Sequence, residues 1–521
     1  MSQMLKSSGA MAAATMTSRV LGMVREMVYA RFMGDGWVAG AFQLAFTIPS
    51  LFRRLLGEGA LTAAFIPIFK EKESAGNSDE MWRAANAVVS GLVVVAAIIT
   101  GVVMIGISVA LAARDFDGQA TLMLELLRVM FPYMLLVCVA AVFMGMLNAR
   151  GHFFIPSLGA AMLNVVMIAS VLWLAPKMGE ALHDQIFALA IGVLVAGVAQ
   201  ALFQLPALGQ QGFRYRWITP WKDETVRRVV KQMLPATIGV AAFQINVVLT
   251  QGLAYWVDDY VVASFQYAVR LMELPQGLFG ISLATYLLPT LAAFATEKRY
   301  DDFRTELRQG LGYLIFANII ASVLLLVLAE PIIRLLFEGR KFDENSTSQA
   351  TLALVCLAPG LLAFSVVNIL ARAFYALGDT KTPMKTSVFC LIVNLLLAAV
   401  LVWRFKQGGL GIANTLTSLL NVGLLTYGLR RKLKCLDLQP LRAPTTKLAV
   451  AGIVAGFTAW WLAGSWASKL GHASVALRIG EVFVPAVIAG ICYWAFALML
   501  RVPAAQEVTH FLFKGRLKKA E

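Results

Sequence analysis

The stretch from Thr17 to Lys70 is long enough to cross a membrane twice, yet it sets Arg19, Arg25, Glu26, Arg31, Arg53, Arg54 and Glu58 among apolar residues. A guanidinium keeps its charge at any accessible pH, and its planar fork of donors grips phosphate or carboxylate through two parallel hydrogen bonds. Such an excess of arginine suits an anion, above all one carrying a pyrophosphate or several carboxylates, and repels a hydrophobic cation. Each charge at the centre of a spanning helix costs at least ~2.5–3.5 kcal/mol even on the lenient insertion scale, so these residues must face a bundle interior or a wet cavity. The rest of the chain has to supply that cavity.

Later in the chain, Arg270 and Glu273 again place charge inside an apolar segment. A simpler reading is intrahelical pairing, Arg54 with Glu58 at i,i+4 and Arg270 with Glu273 at i,i+3. That reading leaves Arg53 and the charges of the first helix unexplained. Arg19 and Glu26, seven apart, share a helix face, whereas Arg25 lies about 120° from Arg19. Ser18, Arg54 and Glu26 are secondary candidates for the site. Arg31 and Arg128 stand near expected helix ends and read as interfacial anchors.

Composition places these charges in a membrane. The 521 residues are 59% hydrophobic and only 14% charged, outside the range of soluble globular chains. A net charge of +15 raises nucleic acid as a partner, but the 45 Lys and Arg are scattered between apolar runs and suit a charged membrane surface instead. Enzyme chemistry finds little support. There is no Walker-type phosphate loop, His152, His183, His472 and His510 are scattered, and no zinc spacing occurs, so neither a metal nor a cofactor is expected. Asp115-Phe116-Asp117 resembles a metal-binding pair but falls in a short loop and reads as a solvated turn. Cys138, Cys356, Cys390, Cys435 and Cys492 are far apart and read as small buried hydrophobes.

Apolar segments of about 20 residues predict an all-α polytopic membrane protein of fourteen spans: 8–32, 37–69, 84–112, 122–148, 155–175, 185–206, 232–256, 261–295, 310–329, 350–371, 384–403, 408–429, 446–467 and 478–500. Sorting basic residues by alternate loops gives 29 on one side and 9 on the other, which predicts that both termini are cytoplasmic. The longest loop, about Ala207 to Lys231, is basic and is expected on the membrane surface. An internal repeat is also visible. Pro132, Ala149, Gly151 and Pro156 recur as Pro359, Ala376, Gly378 and Pro383 at a spacing of 227, and Phe42, Gln43 and Ala45 recur as Phe265, Gln266 and Ala268 at 223. The repeat divides the chain into six-helix lobes at 1–221 and 222–438, related by pseudo-two-fold symmetry, followed by two extra helices and a basic tail in 439–521. That last pair carries Trp460, Trp461, Trp466, Tyr493 and Trp494 with almost no internal charge. It is expected either to pack simply or to form a groove for a long hydrocarbon tail.

The segments T17SRVLGMVRE26, P49SLFRRLLGEGALTAAFIPIF69, V229VKQMLPATIGV240 and R270LMELPQGLFG280 make the chain resemble the MurJ (MviN) family of lipid II flippases, in the multidrug/oligosaccharidyl-lipid/polysaccharide (MOP) exporter superfamily. The resemblance spans essentially the whole chain. It implies alternating access between two six-helix lobes in the bacterial inner membrane, carrying the undecaprenyl-pyrophosphate-linked peptidoglycan precursor to the outer leaflet. It further implies that Arg19, Arg25, Arg53 and Arg270 match the family's cavity arginines and Glu58 and Glu273 its nearby acidic positions. A tail groove along the last two helices is implied as well. Partners would be lipid II, membrane lipids and the cell-wall synthesis machinery. Many relatives carry aspartate where this chain has Gly40 and Val269, so the cavity here should be more cationic. Gln244, Asn246 and Asn394 are the candidates for a weakly charged sodium site, with Na+ or the membrane potential as the expected source of coupling. The alternatives are a flippase for another lipid-linked oligosaccharide, a cation-coupled drug exporter of the same superfamily, and a membrane glycosyltransferase acting on the same lipid.

Overall fold

The computed structural model describes residues 3–54, 60–152, 154–434 and 437–517, and every regular element among them is a helix. The chain packs as two compact units, Met1–Ala263 with Gly339–Phe342, and Ser264–Glu338 with Asp343–Glu521. The first holds α1 (Gln3–Met33), α2 (Trp37–Phe52), α3 (Ala60–Ser74), α4 (Ser78–Ala113), α5 (Gly118–Met130), α6 (Tyr133–Ala149), α7 (Phe154–Ala169), α8 (Leu182–Gln210), α9 (Glu224–Tyr255) and the first residues of α10 (Val261–Pro275). The second holds the rest of α10, a π-helical turn (Gln276–Ile281), α11 (Ser282–Thr296), α12 (Tyr300–Val327), α13 (Ala329–Leu336), α14 (Glu344–Leu357), α15 (Leu361–Ala376), α16 (Lys381–Lys432), α17 (Gln439–Lys469), α18 (Val475–Met499) and α19 (Pro503–Leu517). The sequence repeat divides the chain at 221/222, whereas α9 packs on α2, α3 and α4 of the first unit. Repetition and packing are separate properties, and their boundaries differ by one helix.

Among the described residues nine helices are long and apolar enough to cross a membrane, and ten if α5 and α6, bent by 41° at their junction, form one span. The 52 residues of α16 contain two of the expected spans, since Lys406, with φ 49°, breaks the helix between 384–403 and 408–429. The other expected spans fall on α1, on α2 with α3, and on α9. The first two of these carry the charges with which the sequence reading began.

Local structure repeats where the sequence repeats. Pro132 stands at the break between α5 and α6, and Pro359 in the 3-10 turn between α14 and α15, because proline cannot donate to the turn before it. Gly151 and Gly378 close α6 and α15 with φ of +82° and +72°. In each case the next amide bonds back five residues, His152 N to Leu147 O and Asp379 N to Phe374 O, both at 2.9 Å. This is the Schellman closure, which glycine enters without steric cost. Asp379 is then fixed by Lys432 Nζ (2.7 Å) and the Thr382 amide (3.0 Å), which hold its carboxyl well below the usual range.

The appended helices are fastened through small residues. One face of α17, with Ala451, Gly452, Ala455, Gly456 and Ala459, is buried, and a Cβ at Gly452 or Gly456 would lie 2.9 Å from Ile319 or Val323 of α12. Small residues permit that approach where helices associate without a hydrophobic drive. The opposite face leaves Ile453, Phe457, Trp460 and Trp461 exposed, as a lipid-facing surface does. The one acidic residue in this pair of spans, Glu481 of α18, is 2% exposed. Arg334 of α13 makes that burial possible. It reaches Glu481 at 3.4 Å and Glu338 at 3.6 Å and also bonds Glu330, while Arg478 holds Glu338 at 2.9 Å.

Alanine at Gly378 puts a Cβ on a left-handed residue, a strain of about 1–2 kcal/mol. Gly378→Ala and Gly151→Ala should each lower the melting temperature of the purified protein in detergent, whereas Gly423→Ala, inside α16 with open space around it, should not. An unchanged melting temperature in the first two variants would contradict the closure described.

Candidate functional site

Burial and pairing separate the candidate residues. On α1, Arg25 and Glu26 are 9% and 7% exposed. Arg25 Nη2 donates to Glu26 Oε1 at 2.5 Å, Nη1 donates to Asn164 Oδ1 of α7 at 3.0 Å, and the guanidinium lies 5.4 Å from the centre of the Tyr29 ring. Asn164 also donates from Nδ2 to the Ser18 carbonyl at 3.2 Å, so one amide side chain ties a guanidinium and the α1 backbone together. Helical geometry set Glu26 on the face of Arg19. Its carboxylate instead turns to its neighbour Arg25, since at this burial a guanidinium requires a counter-charge. Arg25 Nε remains buried without an acceptor among the described residues. Arg19, one turn and a half earlier, is half-buried and has no hydrogen-bond or ion-pair partner among the described residues.

Arg53 and Arg54 stand where α2 widens into π geometry, and Arg53 donates its amide to the carbonyls of Pro49 and Ser50. A π turn rotates the residues after it relative to the preceding helix face, which is why such turns occur so often at functional positions. The repeat-equivalent place, just after α10, carries the π turn Gln276–Ile281. Arg53 is half-buried, while the exposed Arg54 donates to Gln244 Oε1 of α9 across a long 3.4 Å. Glu58 lies outside the described residues.

In the second unit, Arg270 Nη1 meets Glu273 Oε2 at 2.8 Å, the i,i+3 pair anticipated from sequence, with side chains 37% and 46% exposed. An ion pair this open is weakly held and can exchange partners. Among the sodium-site candidates, Gln244 is buried but faces the Arg54 guanidinium, and Asn394 of α16 is buried and donates to Asn414 Oδ1 at 3.2 Å. Asn246 is half-buried on α9. Among the described residues no three His, Cys, Asp or Glu side chains are grouped as metal ligands. Asp117 is the N-cap of α5, accepting from the Ala120 amide at 2.8 Å, which gives the Asp-Phe-Asp turn a structural role. Of the cysteines read as small buried hydrophobes, Cys138 and Cys390 are buried and Cys356 and Cys492 half-buried, none in a disulfide among the described residues, and Cys435 lies outside those residues.

Gly40, where relatives would carry a carboxylate, is buried in α2. A Cβ there would lie 3.4 Å from the Asp259 carbonyl and 3.6 Å from the Tyr255 ring. Both are ordinary van der Waals distances, so the α9–α10 connection leaves room for a Cβ at this position.

A second feature lies wholly within the second unit. A groove of about 1280 Å³ runs along α18, lined by Leu278, Tyr286, Phe316, Ile320, Ile491 and Trp494 among others. Its lining comes from the π turn, α11, α12, α18 and α19, and none of it from α17. Of the two appended helices only α18 lines the groove, since α17 spends its small-residue face on α12. Tyr493, buried beside it, keeps its hydroxyl satisfied by donating to the Phe316 carbonyl at 2.8 Å.

The sequence reading did not single out Asn164. A lone amide in the run Ala161-Met162-Leu163-Asn164-Val165-Val166 is itself a signal, because a buried polar side chain in a span must find a partner.

Helical units of this order share their fold with solved transporters of the MOP superfamily. A solved MATE-family multidrug transporter of that superfamily, inward-facing, superposes with a TM-score of 0.65 at 16% identity over 82% of this chain and 98% of its own. A solved lipid II flippase MurJ in an inward closed conformation superposes with a TM-score of 0.78 at 21% identity, covering 94% of this chain and 98% of that one. The model of the family "Lipid II flippase MurJ" matches residues 29–480. The lipid II flippase MurJ of Burkholderia cenocepacia is 33% identical over 427 residues, 80% of this chain and 82% of its own. A Haemophilus influenzae relative, described as a "Probable lipid II flippase MurJ", is 32% identical over 516 residues, 94% of this chain and 98% of its own. The chain belongs to the MurJ family.

Removing one partner of a buried pair strands the other charge, at a cost of about 3–5 kcal/mol. Glu26→Gln should therefore lower the melting temperature sharply, and adding Arg25→Met should restore most of the loss. Additive losses in the double variant would show that the pair is not coupled.

Proposed function

We propose that this protein is a lipid II flippase: a multi-pass transporter of the bacterial inner membrane, and not an enzyme, that moves the undecaprenyl-pyrophosphate-linked peptidoglycan precursor from the cytoplasmic to the outer leaflet. The observation that carries this reading is the family match over residues 29–480, which includes the first repeat from the end of α1 onward, the whole second repeat and the first appended helix. The site residues suit the substrate. Arg19, Arg25, Arg53 and Arg270 engage the anionic head group, with Ser18 and Arg54 beside them and Glu26, Glu58 and Glu273 as counter-charges that set how tightly each arginine is held. The half-buried Arg19, with no partner among the described residues, supports this assignment, since its guanidinium fork is available to an incoming phosphate, and the solvent-open Arg270–Glu273 pair is weak enough to exchange for one. Arg25, held on three sides, preforms the site more than it captures the ligand.

The isoprenoid tail lies in the groove along α18, where the lining is almost wholly apolar. Alternating access carries the head group across, with both termini cytoplasmic as the basic loops indicate. Coupling draws on Na+ or the membrane potential; Gln244 accepts from the Arg54 guanidinium, which disfavours a cation beside it, whereas Asn394 donates to Asn414 through Nδ2 and keeps its Oδ1 for one. A cation-coupled drug exporter is disfavoured by the same excess of arginine.

The test is leaflet-resolved transport of lipid II in proteoliposomes. Arg270→Ala should reduce the rate at least tenfold, because a hydrogen bond to a charged group contributes about 1.5–3 kcal/mol. Arg270→Lys should recover little, lacking the planar fork. Recovery of transport in Arg270→Ala/Glu273→Ala would mean that Arg270 serves only to neutralise Glu273.

A further inference from the structure

The connection between α8 and α9 is extended chain over 213–219, followed by the 3-10 turn Pro220–Lys222, yet it is fastened along its whole length. At its start, Gln211 accepts from Arg150 Nε and Nη2 at 3.3 and 3.1 Å, and Arg150 Nη1 reaches Glu73 at 2.7 Å. Phe213 is buried in a row of rings with Trp82 and Phe143. Asn86 of α4 donates to the Arg214 carbonyl at 3.0 Å and accepts from the Arg216 amide at 3.3 Å. Ser90, one turn further on, accepts from the Ile218 amide at 3.4 Å and shares a 3.3 Å hydrogen bond with the Tyr215 hydroxyl. Pro220 is buried over Gly91, where a Cβ would approach it to 3.2 Å. Asn86 and Ser90, 4% and 0% exposed, are polar side chains inside the first unit whose bonds hold this strap.

The strap presents cations and aromatic rings outward. Arg214, Arg216 and Lys222 are exposed, and so are Tyr215, Trp217 and Trp221 at 49%, 56% and 64%. Its position on α4 says what it faces. The exposed apolar stripe of that helix begins at Val95 and runs through Ile98, Val102, Ile105 and Val109. At 1.5 Å per residue, Ser90 lies about 7.5 Å before Val95, the depth of a head-group layer next to the hydrocarbon.

We propose that residues 213–222 form a preformed binding surface for anionic phospholipid head groups of the adjoining leaflet. Arg214, Arg216 and Lys222 meet the phosphates, and Tyr215, Trp217 and Trp221 enter the interface between head groups and chains. Because the backbone is already fixed, the site binds without an ordering cost, unlike a flexible basic loop. The surface is separate from the arginines assigned to the flipped substrate, and the proposal holds for either orientation of the chain.

The experiment titrates the purified full chain in neutral detergent with phosphatidylglycerol or phosphatidylcholine, reading retained lipid by native mass spectrometry and the shift in melting temperature. Phosphatidylglycerol should be retained and should stabilise the wild type more than phosphatidylcholine does. Arg214→Gln/Arg216→Gln/Lys222→Gln should weaken that affinity at least tenfold, and Trp217→Ala/Trp221→Ala should weaken it without removing the preference for the anionic lipid. Lys298→Gln/Arg442→Gln/Lys469→Gln, an equal loss of exposed charge elsewhere, should change it less than twofold. Equal losses in the two charge-matched triples, or no loss in the first, would overturn the proposal, as would tighter binding of a short RNA than of phosphatidylglycerol vesicles at the strap.

Discussion

A guanidinium inside an apolar bundle needs a counter-charge, hydrogen-bond acceptors and an aromatic face, and the first unit supplies all three to Arg25. Glu26 neutralises it, Asn164 accepts from it and Tyr29 lies beneath it. This contact fastens α1 to α7, and through the Ser18 carbonyl it also fixes the backbone one residue before Arg19. The arginine without a partner among the described residues is thus oriented by the arginine that has several. Preorganisation of this kind lets a charged site bind an anion without first rearranging.

The two units manage charge differently. In the first, Arg25 is enclosed; in the second, Arg270 shares an exposed pair with Glu273, and the enclosed network lies elsewhere, where Arg334 collects Glu330, Glu338 and Glu481. That network ties α18 to α13, and the Gly452 and Gly456 contacts tie α17 to α12. With both appended helices anchored, an apolar groove along α18 stays open instead of collapsing onto a neighbouring helix. A long hydrocarbon tail requires such a surface.

Much of this was legible in the sequence. The helical class, the positions of the spans and the repeat follow from apolar length and from prolines and glycines at fixed spacing, and Gly151 and Gly378 proved to share a left-handed conformation because the repeat preserves backbone geometry. The family was legible from the arginine-bearing segments. Pairing was legible only where it is local: the i,i+3 contact of Arg270 with Glu273 was, and the partners of Arg25 were not. Helical periodicity placed Glu26 with Arg19, because it describes directions from the axis and not the reach of a long side chain toward its neighbour. It gave no hint that Asn164, 139 residues away, completes the Arg25 site. Nor did it show that α18, and not α17, joins α11 and α12 in lining the groove, which depends on α17 turning its small residues inward.

Direct binding tests, without the complication of transport, whether the arginines set in the spans recognise pyrophosphate. Affinities of the purified wild-type protein should be measured for two short-tail analogues that share the same sugar and peptide, one with a pyrophosphate and one with a single phosphate. Two phosphates can occupy two guanidinium forks, so the pyrophosphate analogue should bind at least tenfold more tightly, and Arg19→Ala should erase most of that difference. Equal affinities for the two analogues in the wild type would contradict the account.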